Sequence, residues 1–319
     1  MGLLQNGRWV DQWYDTGDGE FHRQASHFRR WVTVDGEAGL TGERGFKAEK
    51  GRYHLYVSLA CPWAHRTLIF RKLKQLEDYI GVTVVDPIML DNGWQMTDPL
   101  YNLDFLYQLY LKADANYEGR VTVPVLWDAQ AKTIVSNESS EIIRMFNAAF
   151  NHLTGNTDDY YPESLQDIIH TLNDRIYDTI NNGVYRAGFA TTQAAYEQAF
   201  FSLFDSLDWV EDILSRQRYL AGNQMTEADW RLFTTLIRFD AVYFGHFKCN
   251  RQLLAAYPFI SAYVRELYQV PGVADTVNFD HIKTHYYASH RTINPTGIIP
   301  LGPDQDFTAP HNRHEFYFT

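Results

Sequence analysis

A cysteine followed by a proline, at the point where a strand pattern changes into a helix pattern, constrains this chain more than any other feature. Residues 53–58 are rich in aromatic and β-branched side chains and predict a strand. Apolar residues at helical spacing predict a helix over residues 62–76. Proline is favoured at the first helical position because its missing N–H would be unpaired there in any case. Cys61, directly before Pro62, is therefore predicted to be the N-cap of that helix.

A thiol at a helix N-terminus is favourably placed for chemistry. The unpaired N–H groups and the helix dipole put partial positive charge there, which lowers the pKa of such thiols from about 8.5 to between about 3.5 and 7.5. Ala64 stands where a second cysteine would complete a CxxC pair, so we expect a one-thiol cycle resolved by an external thiol. The competing interpretation of Cys61 is a buried, inert cysteine. Cys249 has no adjacent motif and is interpreted as passive.

Strand and helix patterns alternate through residues 51–155. The order is β-α-β-α-β-β-α, which matches a thioredoxin-like unit. After the first strand and helix, the predicted elements are a strand at 82–85, a helix at 105–111, strands at 121–127 and 133–136, and a helix at 141–150.

Residues 160–277 predict an all-helical domain. Helical periodicity covers residues 163–183, 193–216 and 227–247, with shorter stretches near 250–257 and 259–269. Thr226 and Asp229 fit a capping box at the start of one of these helices.

Both ends of the chain are predicted to be extensions. Residues 1–50, the N-terminal arm, show no sustained period, and their scattered aromatic residues predict an extended arm that lies on the main body. Residues 278–319 are predicted to form an irregular C-terminal extension. The fold class is thus α/β plus all-α, with a thioredoxin-like domain followed by a helical domain.

Two further motifs point to a peptide-binding groove. Val123-Pro124 interrupts a strand, which indicates either a cis peptide bond, with the Val123 backbone available to an extended peptide, or an ordinary proline on an edge strand. Glu138 and Ser139 precede a helix, where an N-terminus can hold a carboxylate and Glu138 an ammonium group. Plain N-capping by Ser139 or Ser140 is the alternative. With Cys61, these features suggest glutathione as the ligand.

Charge and composition limit the other partners. The formal net charge of −11 argues against nucleic acid and anionic membrane surfaces, which bind positive charge. No secretory signal pattern and no apolar run of membrane-spanning length are present, so a cytoplasmic protein is expected. Two cysteines exclude a Cys-only metal site. His281 and His285 have metal-ligand spacing without an HExxH pattern, and we expect no metal.

Residues 56–66 resemble the signature of the glutathionyl-hydroquinone reductases, the Xi class of glutathione transferases. The similarity extends over nearly the whole chain. It includes residues 92–94, 119–126, 136–139, 181–190, 238–240 and 289–298.

The resemblance implies a homodimer whose catalytic cysteine is Cys61. It places two hydroquinone-site tyrosines on Tyr185 and Tyr286, with Tyr287 as the neighbouring alternative to the second. The stretch at 95–104 is short, so the loop beside the glutathione site is expected to differ from that of some members. The implied glutathione contacts are Trp94, Arg120, Val123, Glu138 and Ser139.

The implied reaction is the reduction of S-glutathionyl-hydroquinones to hydroquinones. It proceeds through a mixed disulfide between Cys61 and glutathione, which a second glutathione resolves to give oxidised glutathione. Two alternatives remain. A general thiol transferase or dehydroascorbate reductase would use the same disulfide, and a non-enzymatic scaffold would retain only the fold. The intact Cys-Pro motif argues against the scaffold.

Overall fold

The computed structural model describes residues 2–316. Its strands are β1 (Leu3–Gln5), β2 (Arg8–Val10), β3 (Trp31–Thr33), β4 (Gly45–Lys47), β5 (Tyr53–Val57), β6 (Ile80–Val84), β7 (Gly119–Arg120), β8 (Val125–Asp128) and β9 (Thr133–Ser136). Its helices are α1 (Pro62–Leu73), α2 (Leu106–Ala113), α3 (Ser139–Ala148), α4 (Asn151–Thr154), α5 (Gln166–Ile176), α6 (Gly183–Phe189), α7 (Gln193–Arg216), α8 (Glu227–Arg238), α9 (Pro258–Tyr268), α10 (Phe279–Ser289) and α11 (Arg313–Phe316).

The chain forms two compact units, each assembled from three separated segments. The first contains the described residues up to 13, residues 24–158 and residues 276–290. The second contains residues 14–23, 159–275 and the described residues from 291 onward. The domains expected from the sequence are continuous stretches, whereas these units are made of separated segments. Those domain limits stay a prediction.

A four-stranded mixed sheet forms the core of the first unit, in the order β6-β5-β8-β9. Strand β5 pairs in parallel with β6 and antiparallel with β8, and β8 pairs antiparallel with β9. Every residue of β5 is buried, as expected for a central strand covered on both faces. Helices α1 and α3 pack against each other in the same unit. This arrangement confirms the predicted thioredoxin-like order.

The predicted strand at 121–127 is wrong over its first half. Strand β7 ends at Arg120 and pairs with β1, while β8 begins only at Val125. The Val123-Pro124 peptide bond between them is cis, which is the first of the two alternatives left open by the sequence.

The N-terminal arm is more ordered than its lack of periodicity predicts. Strands β1 and β2 form an antiparallel hairpin, and β3 pairs in parallel with β4. Asn6 and Gly7 join β1 to β2 with φ angles of 49° and 68°. A two-residue type I′ turn requires positive φ at both positions, and the Asn-Gly pair is well suited to it.

The prediction of an irregular C-terminal extension is wrong over residues 279–289, which form α10. The Asn278 side chain caps this helix, since its Oδ1 accepts the His281 N–H at 2.8 Å. Residues 291–312 have neither helix nor strand, as expected.

The second unit is helical, and two of its predicted helices are interrupted by π-helical turns. The helix predicted over 163–183 becomes α5 followed by a π segment at Tyr177–Asn181. The helix predicted over 227–247 ends as α8 and continues as a π segment at Phe239–Tyr243. Across residues 2–316, no helix combines the length and apolar character that a membrane crossing requires.

The capping box predicted for α8 is confirmed and is part of a larger network. Asp229 Oδ2 accepts the Thr226 N–H at 2.8 Å and the Thr226 hydroxyl at 3.1 Å. Its Oδ1 accepts the Leu220 N–H at 2.9 Å and the Tyr263 hydroxyl at 2.7 Å. Asp229 is completely buried, so all four donors depend on it for a partner.

We predict that Asp229→Ala lowers the free energy of unfolding by about 3 kcal/mol, because it leaves buried donors without an acceptor. Asp212→Ala is the matched control, since the Asp212 carboxylate forms an exposed ion pair with Arg216. That control should change stability by less than about 0.5 kcal/mol. Urea denaturation measures both, and equal losses in the two variants would contradict the prediction.

Candidate active site

Cys61 is the N-cap of α1, as predicted. Its backbone is extended, with φ −75° and ψ 122°, and its carbonyl accepts the first helical N–H, from His65, at 3.0 Å. The side chain is partly exposed, and Sγ lies 3.6 Å from the Val123 carbonyl oxygen. The thiol therefore lies at the positive end of a helix and beside the turn that contains the cis peptide bond.

Charge around the start of α1 favours an anion. The first turn has no acidic residue. Arg66, one turn further along, is 1% exposed, and its guanidinium lies 4.5 Å from the centre of the Trp63 ring. Its Nη1 donates to the Ser139 hydroxyl at 3.3 Å, which links α1 to the start of α3. The helix N-terminus at Cys61, with no acidic side chain in its first turn, favours a thiolate over a thiol.

Glu138, and not a serine, caps α3. Its Oε1 accepts the Ser140 N–H at 3.1 Å and the Ser140 hydroxyl at 2.9 Å. Its Oε2 accepts the hydroxyl of Ser26, from the N-terminal arm, at 2.9 Å. The alternative of N-capping by Ser139 or Ser140 side chains is therefore wrong. A carboxylate has acceptor positions left over that a hydroxyl lacks, so this cap can also bind a ligand.

The Glu138 carboxyl is held in its ionised form. Burial opposes its ionisation, but the Ser140 and Ser26 hydrogen bonds and the positive charge of Arg66 outweigh burial and lower its pKa. An ionised carboxylate at this position can pair with a ligand ammonium group.

Arg120 and Val123 flank the turn beside Cys61. The Arg120 guanidinium donates to the Gln12 carbonyl and, at 2.8 Å, to the Trp13 carbonyl, both in the N-terminal arm. The Arg120 carbonyl accepts the Tyr117 hydroxyl at 2.9 Å. Val123 is 5% exposed. The Arg120 end of the turn is thus held by the N-terminal arm and by Tyr117.

Trp94 stacks on His285, one of the two histidines interpreted as structural or surface residues in preference to metal ligands. The Trp94 and His285 rings are 4.8 Å apart and nearly parallel, at 24°. His285 Nδ1 lies 2.9 Å from the Pro87 carbonyl oxygen, so this nitrogen carries the proton and donates it. Within residues 2–316, no group of three or more metal-ligating side chains forms a possible metal site.

Tyr286 belongs to the same aromatic group. Its ring meets His285 and His290 edge-on, with centroids 5.4 Å away in each case. Tyr286 is 2% exposed, whereas Tyr287 is only partly buried.

Tyr185 lies in the second unit, whereas the other seven predicted site residues lie in the first. Tyr185 is nearly buried, and the Arg23 guanidinium lies 5.1 Å above its ring. Arg23 Nε also donates to Asn182 Oδ1 at 2.8 Å. The Phe247 ring meets Tyr185 edge-on at 5.5 Å.

The supporting residues from the N-terminal arm have no marker in the sequence. Ser26 contacts Glu138 across 112 positions of sequence, and the Gln12 carbonyl meets Arg120 across 108. No local pattern marks such long-range contacts. The stacking of His285 on Trp94 also has no sequence signal, because the two residues lie far apart in the chain.

We predict that iodoacetamide modifies native protein once, at Cys61. Cys249 is fully buried, and burial raises the pKa of its thiol well above its usual range, so little thiolate is exposed to the reagent. Mass spectrometry of the native protein, of Cys61→Ser and of the unfolded chain checks this. Native Cys61→Ser should remain unmodified, and the unfolded wild type should gain two adducts. Modification of Cys249 in the native protein at the rate of Cys61 would contradict the prediction.

Sequence profiles of two known domains match this chain. The profile described as "Glutathione S-transferase, N-terminal domain" matches residues 60–149. The profile described as "Glutathione S-transferase, C-terminal domain" matches residues 193–266. The two matches together cover about half of the chain. The first includes Cys61, and Tyr185 lies between the two.

Three relatives are similar over nearly their whole length. Glutathionyl-hydroquinone reductase YqjG from Escherichia coli (strain K12) is 60% identical over 98% of both chains. Its glutathione-bound structure covers 90% of this chain and 96% of its own, with a TM-score of 0.89. Glutathionyl-hydroquinone reductase PcpF from Sphingobium chlorophenolicum is 51% identical, over 96% of this chain and 97% of its own. An Xi-class structure from Natrialba magadii is 49% identical over 99% of this chain and 97% of its own, with a TM-score of 0.91.

Proposed function

The chain belongs to the Xi class of glutathione transferases, and from that premise we propose that it reduces S-glutathionyl-hydroquinones to hydroquinones with glutathione as reductant. The observation that carries the proposal is the position of Cys61, at a helix N-terminus beside the Val123 turn, in a chain 60% identical to a glutathionyl-hydroquinone reductase. The alignment with that relative covers 98% of both chains, so the comparison includes the Cys61 motif and both matched domains.

In the first half-reaction, the Cys61 thiolate attacks the sulfur of the glutathionyl group. The new S–S bond joins Cys61 to glutathione, and the carbon–sulfur bond to the hydroquinone ring breaks. The electron pair of that bond stays on the ring carbon, which takes up a proton. The two sulfurs are oxidised to a disulfide, while the ring carbon is reduced.

In the second half-reaction, the thiolate of a second glutathione attacks the sulfur of the bound glutathionyl group. The products are oxidised glutathione and the free Cys61 thiolate. An external thiol is required because Cys249, the only other cysteine, is fully buried.

The glutathione site we propose consists of the five predicted contacts. Glu138 pairs its carboxylate with the ammonium group of the ligand, and the N-terminus of α3 at Ser139 faces a ligand carboxylate. The Val123 backbone pairs with the extended peptide, which brings the ligand sulfur to Cys61. Trp94 and Arg120 complete the site. Support comes from the ionised state of Glu138 and from the 3.6 Å separation of Cys61 Sγ and Val123 O.

Tyr185 and Tyr286 are the proposed partners of the hydroquinone. A tyrosine hydroxyl has an ordinary pKa of about 10, so it carries a proton at neutral pH and can donate it to the leaving carbon. The homodimer and the cytoplasmic location expected from the sequence stay predictions.

We predict that Cys61→Ser abolishes turnover of S-glutathionyl-menadiol while glutathione still binds. The serine hydroxyl is a far weaker nucleophile than a thiolate, but the contacts at Glu138 and Val123 are unchanged. Cys249→Ser is the control and should keep wild-type turnover. Steady-state assays and calorimetry measure the two properties. Wild-type turnover in Cys61→Ser would contradict the mechanism.

We predict that Tyr286→Phe slows conjugate reduction by about 10²-fold, the loss typical of a general acid. Activity towards a small disulfide such as hydroxyethyl disulfide should persist, because that leaving thiolate needs no such proton donor. Tyr287→Phe, the neighbouring control, should behave as wild type. A general thiol transferase would instead use the disulfide well with either tyrosine removed and reduce the conjugate poorly even as wild type.

A further inference from the structure

We propose that the N-terminal arm is a positioning element of the glutathione site, and that Ser26 is the positioning residue that orients the Glu138 carboxylate towards the ligand ammonium group. This inference rests on the proposed function, because it takes Glu138 as the ammonium partner.

Ser26 is held in place by hydrogen bonds between the arm and the residues at and after the end of β9. The Phe28 N–H donates to Asn137 Oδ1 at 3.1 Å, and the Asn137 N–H donates to the Phe28 carbonyl at 3.1 Å. Two residues further, the Arg30 N–H donates to the Val135 carbonyl at 3.0 Å. The arm therefore runs antiparallel to the end of β9, directly before Glu138. A hydroxyl fixed in this way adds little entropy cost when it orders a neighbouring carboxylate.

The donors to Glu138 are unequally divided between its two oxygens. Ser140 supplies two donors to Oε1, while Ser26 supplies one donor to Oε2 at 2.9 Å. A carboxylate accepts about four hydrogen bonds. Among the residues that the structure describes, these three donors are the ones that reach Glu138, so an acceptor position remains on Oε2. Ser26 thus sets the direction in which Oε2 can accept an ammonium N–H.

The same arm contacts the loop that carries Trp94. Trp9 Nε1 donates to the Asp91 carbonyl at 2.7 Å, and its ring stacks on Tyr107 at 5.3 Å. Gly93 has a φ of +72°, and a Cβ there would approach the Trp9 ring to 2.7 Å. The indole therefore packs on the backbone one residue before Trp94, which only glycine allows.

Arg120 is the third glutathione contact that the arm supports, through the Gln12 and Trp13 carbonyls. The arm thus contacts two of the five proposed glutathione residues, Glu138 and Arg120, and the loop that carries a third, Trp94. A segment that only covered the surface would not be expected to contact the site at each of these places.

Removal of the Ser26 hydroxyl should change how glutathione binding depends on pH. Burial raises the pKa of Glu138, and the hydrogen bonds from Ser140 and Ser26 together with the charge of Arg66 lower it below its usual value. Arg29 also faces Glu138 while it pairs with Glu141. Glutathione binding that needs ionised Glu138 is present above this lowered pKa and is lost as the pH falls through it. Removing the Ser26 donor raises the pKa, so the loss should begin at a higher pH.

The test is Ser26→Ala. We expect its KM and dissociation constant for glutathione to rise about tenfold at pH 7, the effect of losing one hydrogen bond to a charged group. The kcat should stay within about twofold, because the contact is to a binding group and not to the reacting sulfur. The acidic limb of glutathione binding should move to higher pH. Ser26→Thr keeps the hydroxyl and should restore wild-type values.

Ser215→Ala is the matched control. Its hydroxyl bonds the Asp212 carbonyl on the exposed side of α7, and its removal should change none of these quantities. If wild type reduces the conjugate and Ser26→Ala keeps wild-type KM, binding and pH profile, the positioning role is overturned and the function stands. A lower kcat with unchanged KM and a lower thermal midpoint also overturns it, since that result indicates a structural role only. If wild type fails to reduce the conjugate, the proposed function itself fails.

Discussion

The rest of the site depends on one junction, where β5 ends and α1 begins at Cys61. Buried strand β5 fixes the backbone that leads to Cys61, and Pro62 starts the helix at the residue after it. The helix N-terminus then supplies positive charge to the sulfur without a charged side chain having to approach it. The Val123 carbonyl lies 3.6 Å from Sγ, so the turn with the cis peptide bond borders the thiol.

A second helix N-terminus, that of α3, also has an anionic group at its cap. Glu138 places a carboxylate where the dipole of α3 and Arg66 favour an anion, and its own hydrogen bonds keep it ionised despite burial. Arg66 joins the two helices, since it starts from α1 and bonds Ser139 of α3. The positions of Cys61 and Glu138 are therefore set by the starts of two helices that Arg66 links.

What the sequence predicts well is local. The Cys-Pro junction and the Thr226–Asp229 capping box each lie within a few residues, and both are found as predicted. Helix α10 and the β1–β2 hairpin also have local signals, in Asn278 and in Asn6-Gly7. Strands of three residues, however, are too short to show a period. The capping signal of Asn278 stands alone in a segment that otherwise has an irregular pattern. Ser26 has no local signal at all, because its role arises only when β9 and the arm pair.

The most direct test of Cys61 as nucleophile is the intact mass of the reduced protein after mixing with S-glutathionyl-menadiol and no free glutathione. A single added glutathionyl group on the Cys61 peptide, with one menadiol released per adduct, is the predicted result. Without a second thiol the cycle must stop at this mixed disulfide, so the adduct should accumulate and disappear only when glutathione is added. Unmodified protein with intact conjugate, or an adduct on another residue, would contradict the mechanism.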